Sequence, residues 1–174
     1  MKRNCAFLFL LSIIPLAVNA QDARAPKYMV SQDFPDSVKS LTLLRLDSSN
    51  IEFSSLLELH KGKKVVIDFW ASWCRDCIVG LPQLEALKQQ TGEEKVVYVF
   101  ISVDEVDTKW RSAITRFNIR GEHYRIEAGW HNSLCHYIEL DWVPRYLVLD
   151  EKGKVIMAKA VKADSHELVK SLMK

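Results

Sequence analysis

Cys74 and Cys77 are separated by two residues and are the side chains of this sequence best suited to covalent chemistry. They follow a strand-like apolar stretch directly and lead into a helix-like one. A two-residue spacer lets two thiols close into a disulfide across the first turn of a helix, where backbone N–H groups and the helix dipole favour a thiolate. This placement makes a redox site the leading interpretation.

The alternatives are a static structural disulfide and half of a metal site. A zinc site needs two further ligands, and Cys135 with His136 is the only candidate pair. Covalent haem attachment requires a histidine directly after the second cysteine, where this chain has Ile78. We therefore expect no metal and no other cofactor.

The N-terminal segment has the pattern of an export signal. Lys2 and Arg3 precede an apolar run over residues 5–18, and small residues then lead to a cleavage site after Ala20. The run is short for a membrane span and is interrupted by Pro15, so a retained membrane anchor is the alternative. Export would place the dithiol in an oxidising compartment, where it is either oxidised or kept reduced by a dedicated donor.

Charge and length narrow the class of protein. The chain has 174 residues and a formal net charge of +2, which falls to zero when residues 1–20 are removed. Basic and acidic residues are interspersed, so neither a nucleic acid nor an anionic membrane is indicated as a partner. The remainder suits one domain with its own core, and its odd number of cysteines suits one functional pair plus a single thiol, Cys135.

The elements that must position the cysteines follow from the hydrophobic pattern. Residues 21–40 are polar and form a leader into a domain spanning residues 41–174. Lys64–Trp70 is a nearly continuous apolar run of strand length, typical of a central strand buried on both faces, and only Asp68 interrupts it. Before it we expect a strand over 41–46 and a short helix that a capping box opens at Ser55.

After the cysteines the pattern predicts a β-α-β unit and a C-terminal hairpin. Pro82 should kink a helix over 74–91, and the next strand should run parallel to Lys64–Trp70 through a right-handed crossover. The remaining elements are a helix over 107–118, a short strand over 123–127, a short helix over 132–138, a hairpin of strands 146–149 and 155–158, and a last helix capped by Asp164. This order describes an α/β fold, a three-layer α/β/α sandwich with a mixed central sheet.

These features together resemble the thioredoxin superfamily over roughly residues 41–174. Trp73 to Cys77 is similar to its W-C-x-x-C motif, Pro82 to its helix-kinking proline, Asp68 to its buried acid, and Val143–Pro144 to its cis-proline dipeptide. The signal and leader resemble TlpA-like periplasmic thiol-disulfide oxidoreductases, which include reductases serving cytochrome c maturation.

Two positions depart from that subgroup. Many of its members carry proline directly before the second cysteine and glutamate three residues after it, where this chain has Asp76 and Gly80. These departures weaken an assignment to cytochrome c maturation by analogy.

The resemblance implies a role for each residue of the dithiol site. Cys74 is the attacking thiol and the more exposed one, and Cys77 is the buried resolving thiol. A buried Asp68 would have a raised pKa and could accept the proton that Cys77 loses. Because Gly80 has no carboxyl group, Asp68 is the only nearby acid in a position to accept this proton; the alternative is a sheet-edge aspartate that reaches solvent.

The resemblance also implies a substrate groove. Pro144 should be cis and face the dithiol, so that the neighbouring backbone pairs with an extended substrate; a trans proline starting a strand is the alternative. We expect the groove to be lined by Asp141, Trp142, Val143 and Arg145. Trp73 and Trp142 would form its apolar rim unless they are core residues.

The spacer residues should set the direction of electron flow. Arg75 stabilises the Cys74 thiolate and makes the pair more oxidising, whereas Asp76 opposes it.

We expect an exported thiol-disulfide oxidoreductase that reduces protein disulfides and receives electrons from a membrane thiol donor. The alternatives are a thiol oxidant on the same fold and a non-catalytic thioredoxin-like binding module. A peroxidase is disfavoured because the threonine-proline setting of a peroxidatic cysteine is absent. Cys135 is expected in the core, with a third redox thiol as its alternative.

Overall fold

The computed structural model describes residues 26, 27, 29, 31–92 and 94–173. The export signal expected over residues 1–20 lies outside these residues. Within the ranges described, no helix is both long enough and apolar enough to cross a membrane.

Strand β3, Lys64–Trp70, has the bounds that its apolar run predicts and lies near the middle of the sheet. It pairs in parallel with β4, Val96–Ser102, and antiparallel with β6, Arg145–Leu149. Neighbouring residues of a strand point to opposite faces, yet every residue from position 65 to position 70 is buried. Both faces of the sheet are therefore covered, which confirms the α/β class.

The sheet of the described chain has seven strands in the order β2-β1-β5-β4-β3-β6-β7. Parallel and antiparallel pairs occur together, as expected for a mixed sheet. The remaining strands are β1, Thr42–Arg45; β2, Asn50–Glu52; β5, Glu122–Arg125; and β7, Val155–Ala160, and β2 and β7 lie at the two edges of the sheet. The sequence pattern does not predict β2, because this short polar segment becomes a strand only by pairing with β1.

The helices are α1, Asp36–Lys39; α2, Phe53–Leu59; α3, Arg75–Val79; α4, Leu81–Thr91; α5, Asp107–Phe117; α6, Ser133–Tyr137; and α7, His166–Leu172. Phe34 and Val38 are buried in the same core as the sheet residues. The last part of the segment expected to be a polar leader thus contributes to the core.

Two expected helix starts are wrong. Helix α2 begins at Phe53, not at a capping box on Ser55, because burial of the Phe53 ring draws the chain into the helix earlier. Helix α7 is capped by Ser165, whose hydroxyl accepts the Leu168 N–H at 3.4 Å, and not by Asp164. Packing and cap geometry select between neighbouring residues that the sequence pattern does not distinguish.

The helix expected over 74–91 is divided in two at Gly80. Pro82 lies in the first turn of α4, where its missing N–H has no intrahelical partner to lose. The proline therefore starts a new helix instead of bending one continuous helix.

Gly121 provides a test of packing beside the sheet. Its φ is +139°, and a Cβ there would lie 2.7 Å from a Phe100 ring carbon and 3.0 Å from the Tyr98 carbonyl oxygen. We expect Gly121→Ala to lower the free energy of unfolding by about 2–4 kcal/mol through strain and overpacking. Gly153→Ala is the matched control, because its φ is +77° with no atom within 4 Å, and backbone strain alone should cost about 1 kcal/mol. Urea unfolding measures both; equal losses would contradict a steric role for Gly121.

Candidate redox active site

Cys74 and Cys77 are joined by a disulfide at the start of α3, with their Cα atoms 5.3 Å apart. The chain leaves β3 in a turn in which the Cys74 N–H donates to the Ala71 carbonyl at 3.0 Å. Cys74 then caps α3, and the Cys77 N–H donates to the Cys74 Sγ at 3.0 Å. In the reduced protein the same N–H and the helix start would stabilise a Cys74 thiolate. Among the described residues, no group of three or more His, Cys, Asp or Glu side chains could hold a metal ion.

The two cysteines do not differ in exposure as expected. Cys74 is 5% exposed and Cys77 is 6% exposed. Cys74 nevertheless lines a surface groove of about 400 Å³, whereas Cys77 is not among its lining residues. The walls of the groove reduce the exposed area of Cys74 without closing the approach to it. Its other lining residues are Trp73, Arg75, Asp76, Trp130, Asp141, Trp142 and Val143.

Three tryptophans contribute to this groove. Trp73 is 59% exposed and Trp142 is 60% exposed, so both lie at the surface and not in the core. Trp130 is half-buried, and its ring centroid lies 6.3 Å from that of Trp73. The sequence pattern does not single out Trp130, because residues 119–143 have no clear period; a tryptophan in a glycine-bounded loop is the available signal.

The Val143–Pro144 peptide bond is cis and lies next to the dithiol. The Val143 carbonyl oxygen is 3.4 Å from the Cys74 Sγ. This places a backbone acceptor of the 138–144 loop at the sulfur that lines the groove.

Arg145 does not line the groove as expected. Its side chain is fully buried and donates to the Ile138 carbonyl at 3.2 Å, to the Glu139 carbonyl at 3.4 Å, and to the carboxylate of Asp141. Arg145 thus holds the loop that presents Trp142.

Asp68 is buried in β3 with 5% of its surface exposed, which is inconsistent with a sheet-edge aspartate. Its Oδ1 has no hydrogen-bond partner within the described part of the chain. Burial raises the pKa of Asp68 well above its usual value, and the positive charge of Lys88 opposes this shift. Tyr146 lies opposite Asp68 on β6, and burial, followed by the Asp68 charge, raises the pKa of the Tyr146 phenol. Asp68 can therefore hold a proton at pH values where an exposed aspartate is ionised.

Arg75 and Asp76 are both exposed at the mouth of the groove. Asp76 and Trp142 also line a second pocket of about 560 Å³, which Gly80 and Tyr146 border. Gly80, which has no side chain, therefore borders open space in this pocket.

Cys135 is a buried thiol, 3% exposed, and is not disulfide-bonded. Asn132 caps α6 by accepting the Cys135 N–H at 2.9 Å, and its amide donates to the Cys135 Sγ at 3.0 Å. Burial raises the pKa of the Cys135 thiol to about 11, while the Asn132 hydrogen bond opposes the shift. These contacts are those of a core residue and leave little thiolate for redox chemistry.

A disulfide at a helix start, a cis-proline loop against it and a mixed sheet behind it define a thioredoxin-like thiol-disulfide oxidoreductase. The chain belongs to the Redoxin family, whose model matches residues 29–172. It is an enzyme of the oxidoreductase class.

The comparisons with known proteins agree on this class. The chain is 33% identical over 89 residues to the chloroplastic thioredoxin-like protein HCF164 of Arabidopsis thaliana, covering 51% of this chain and 30% of that protein. It is 22% identical over 130 residues to the thiol-disulfide oxidoreductase ResA of Bacillus thuringiensis (strain Al Hakam), covering 75% and 69%.

A solved thioredoxin domain of a thiol-disulfide oxidoreductase from Bacteroides vulgatus superimposes with a TM-score of 0.65. It is 17% identical, and the match covers 82% of this chain and 95% of that one, which shows the shared fold alone.

Proposed function

We propose that this protein is an exported reductase of protein disulfides that works through Cys74 and Cys77. The observation that carries the proposal is the asymmetry of the dithiol. Cys74 lines the surface groove beside the Val143 carbonyl, and Cys77 does not. A substrate disulfide approaching along the groove meets the Cys74 sulfur.

The reaction proceeds in two exchanges. The Cys74 thiolate attacks one sulfur of the substrate disulfide, which forms a mixed disulfide and releases the other substrate sulfur as a thiolate. Cys77 loses its proton to Asp68 and attacks the Cys74 sulfur, which closes the protein disulfide and releases the second substrate thiolate. The substrate gains two electrons, and the protein dithiol loses them.

The groove supplies the contacts that hold the substrate. The Val143 backbone, next to Pro144, accepts a hydrogen bond from an extended substrate segment. Trp73 and Trp142 give exposed aromatic area for apolar side chains that flank the substrate disulfide. Arg75 favours the thiolate of Cys74 and Asp76 disfavours it, so this pair tunes the reduction potential.

Export is supported by the N-terminal pattern, in which two basic residues precede an apolar run over residues 5–18 and a cleavage site after Ala20. We place the mature protein in the periplasm. A reductase in an oxidising compartment needs a continuing supply of electrons, and this requires a membrane thiol donor.

A thiol oxidant is the second candidate, because Arg75 and the Cys77 N–H both favour the thiolate of Cys74. The reduction potential, measured by equilibration with glutathione, separates the two. A reduction potential of about −270 mV is expected for a reductase, and a potential of about −120 mV would identify an oxidant.

Alkylation of thiols in intact cells gives the second readout. We expect Cys74 and Cys77 to be mostly reduced in vivo, which requires a donor. A fully oxidised pair together with no reduction of insulin disulfides would contradict the reductase and favour a binding module.

A further inference from the structure

A buried carboxylate is bonded to the residue that lies two positions before the attacking cysteine. The Asp104 Oδ2 accepts the Ser72 N–H at 2.8 Å, and its Oδ1 accepts the Ser72 hydroxyl at 2.7 Å. Oδ2 also accepts the Ser102 hydroxyl at 2.8 Å. Asp104 is 1% exposed and Ser102 is fully buried, so the carboxylate is shielded from water, whereas Ser72 is half-buried. Hydrogen bonds to a carboxylate are the stronger class, and three of them fix its orientation.

Asp104 is itself held from two sides. Its own N–H donates to the Ser102 Oγ at 2.9 Å, which ties Asp104 to the last residue of β4. The buried Arg125 donates from Nη1 to the Asp104 carbonyl at 3.2 Å. The carboxylate is therefore a rigid anchor and not a mobile surface group.

Asp104 lies at the point where the neighbouring strands β3 and β4 both end. Trp70 and Ser102 are register partners at the ends of these strands, and the Val103 N–H donates to the Trp70 carbonyl at 3.0 Å. Ser72 follows two residues after Trp70, so the bonds from Asp104 tie the active-site turn to the neighbouring strand end.

We infer that Asp104 is a positioning residue for thiol-disulfide exchange: by fixing Ser72, it sets Trp73 at the groove and Cys74 at the start of α3. The Cys77 N–H reaches the Cys74 Sγ at 3.0 Å only while Cys74 stays at this cap position. If Ser72 were no longer held by Asp104, the distance from the Cys77 N–H to the Cys74 Sγ would increase, and the Cys74 thiolate would lose this hydrogen-bond donor.

Positioning and charge have opposite consequences for Cys74. If the negative charge of Asp104 acted directly on the thiolate, its removal would lower the pKa of Cys74. If Asp104 acts through Ser72, its removal raises that pKa. The charged side chains that line the groove with Cys74 are Arg75, Asp76 and Asp141, and the variants leave them unchanged.

The test uses the reduced full-length protein and its Ser72→Ala and Asp104→Asn variants. The rate of Cys74 alkylation by iodoacetamide is followed against pH by peptide mass spectrometry. We expect the pH midpoint of Cys74 alkylation to rise by about 1 pH unit in both variants. A shift of this size corresponds to the loss of one hydrogen bond to a charged group. The kcat/KM of disulfide exchange should fall about tenfold with it.

Two further variants isolate the effect. Ser72→Thr keeps the hydroxyl and should restore the wild-type midpoint, which also keeps the proposal testable if Asp104→Asn does not fold. Thr91→Val is a control outside the groove. It removes a hydroxyl whose oxygen lies 2.9 Å from the Tyr98 hydroxyl, and it should lower Tm without moving the pH midpoint of Cys74 alkylation.

A lowered Tm with an unchanged midpoint in Ser72→Ala and Asp104→Asn would show a merely structural role and overturn the inference. A lower midpoint in Asp104→Asn with no change in Ser72→Ala would show action by charge and overturn it as well. Alkylation needs no substrate disulfide and does not depend on the direction of electron flow. A wild-type protein that fails to reduce insulin would therefore overturn the proposed function and not this inference.

Discussion

The Cys77→Ala protein is expected to accumulate in cells as a mixed disulfide between Cys74 and its substrates. The first exchange needs only the Cys74 sulfur, which lines the groove 3.4 Å from the Val143 carbonyl oxygen. The second exchange needs the Cys77 thiol, and without it the covalent intermediate has no internal route to resolution. Acid trapping followed by non-reducing electrophoresis would show reducible adducts, and peptide mapping would place them on Cys74.

The matched variants separate the two thiols from each other and from Cys135. Cys74→Ala should form no adduct and should lose about 10³-fold or more in turnover. Cys135→Ala should behave as the wild type, because the Cys135 thiol is buried and its pKa is raised to about 11. Equal adduct formation by Cys74→Ala and Cys77→Ala would contradict Cys74 as the attacking residue.

The elements that carry the dithiol could be predicted from local pattern. Strand β3 has the bounds of its apolar run, Lys64–Trp70, because a segment buried on both faces must be apolar along its whole length. The disulfide follows from two cysteines at a strand-to-helix junction, since the first helical turn brings positions i and i+3 together.

The resemblance predicts that the cis-proline loop with Asp141, Trp142 and Val143 lies at the dithiol, but other features that depend on distant parts of the chain could not be predicted from local pattern. Cys74 has little exposed surface because its groove is walled by residues from the 130–143 region, more than fifty positions later. Ser72 and Asp104 are 32 residues apart, and only the pairing of β3 with β4 brings them into contact. Hydrophobic periodicity carries no information about such contacts.

The Asp68→Asn variant is expected to slow resolution of the mixed disulfide by about 10²-fold, the lower range for loss of a positioned proton acceptor. Asparagine keeps the shape of the side chain in β3 but cannot accept the Cys77 proton. The adduct with Cys74 should therefore accumulate transiently even though Cys77 is present. Rapid acid quenching during single-turnover reduction measures its lifetime, and an unchanged lifetime would contradict Asp68 as the acceptor.

The same substitution should stabilise the oxidised protein at neutral pH by about 1–3 kcal/mol, because it removes a buried carboxylate whose Oδ1 has no hydrogen-bond partner among the described residues. Burial raises the pKa of Asp68 in the folded protein above its unfolded value of about 3.9. Between these two pKa values the folded state binds more protons than the unfolded state, so wild-type stability falls as pH rises through that window.

The gain in free energy of unfolding from Asp68→Asn should therefore be small below about pH 3.9 and grow as pH rises. It should level off above the pKa of Asp68 in the folded protein. Urea unfolding of both oxidised proteins across pH measures it. Asp36→Asn is the control, since that carboxyl is exposed and a surface substitution should change the free energy of unfolding by no more than about 0.5 kcal/mol. A stability difference that is constant across pH would mean that Asp68 does not titrate with a raised pKa. The carboxyl would then lack the property that suits it to take the Cys77 proton, and resolution would have to release that proton directly to water.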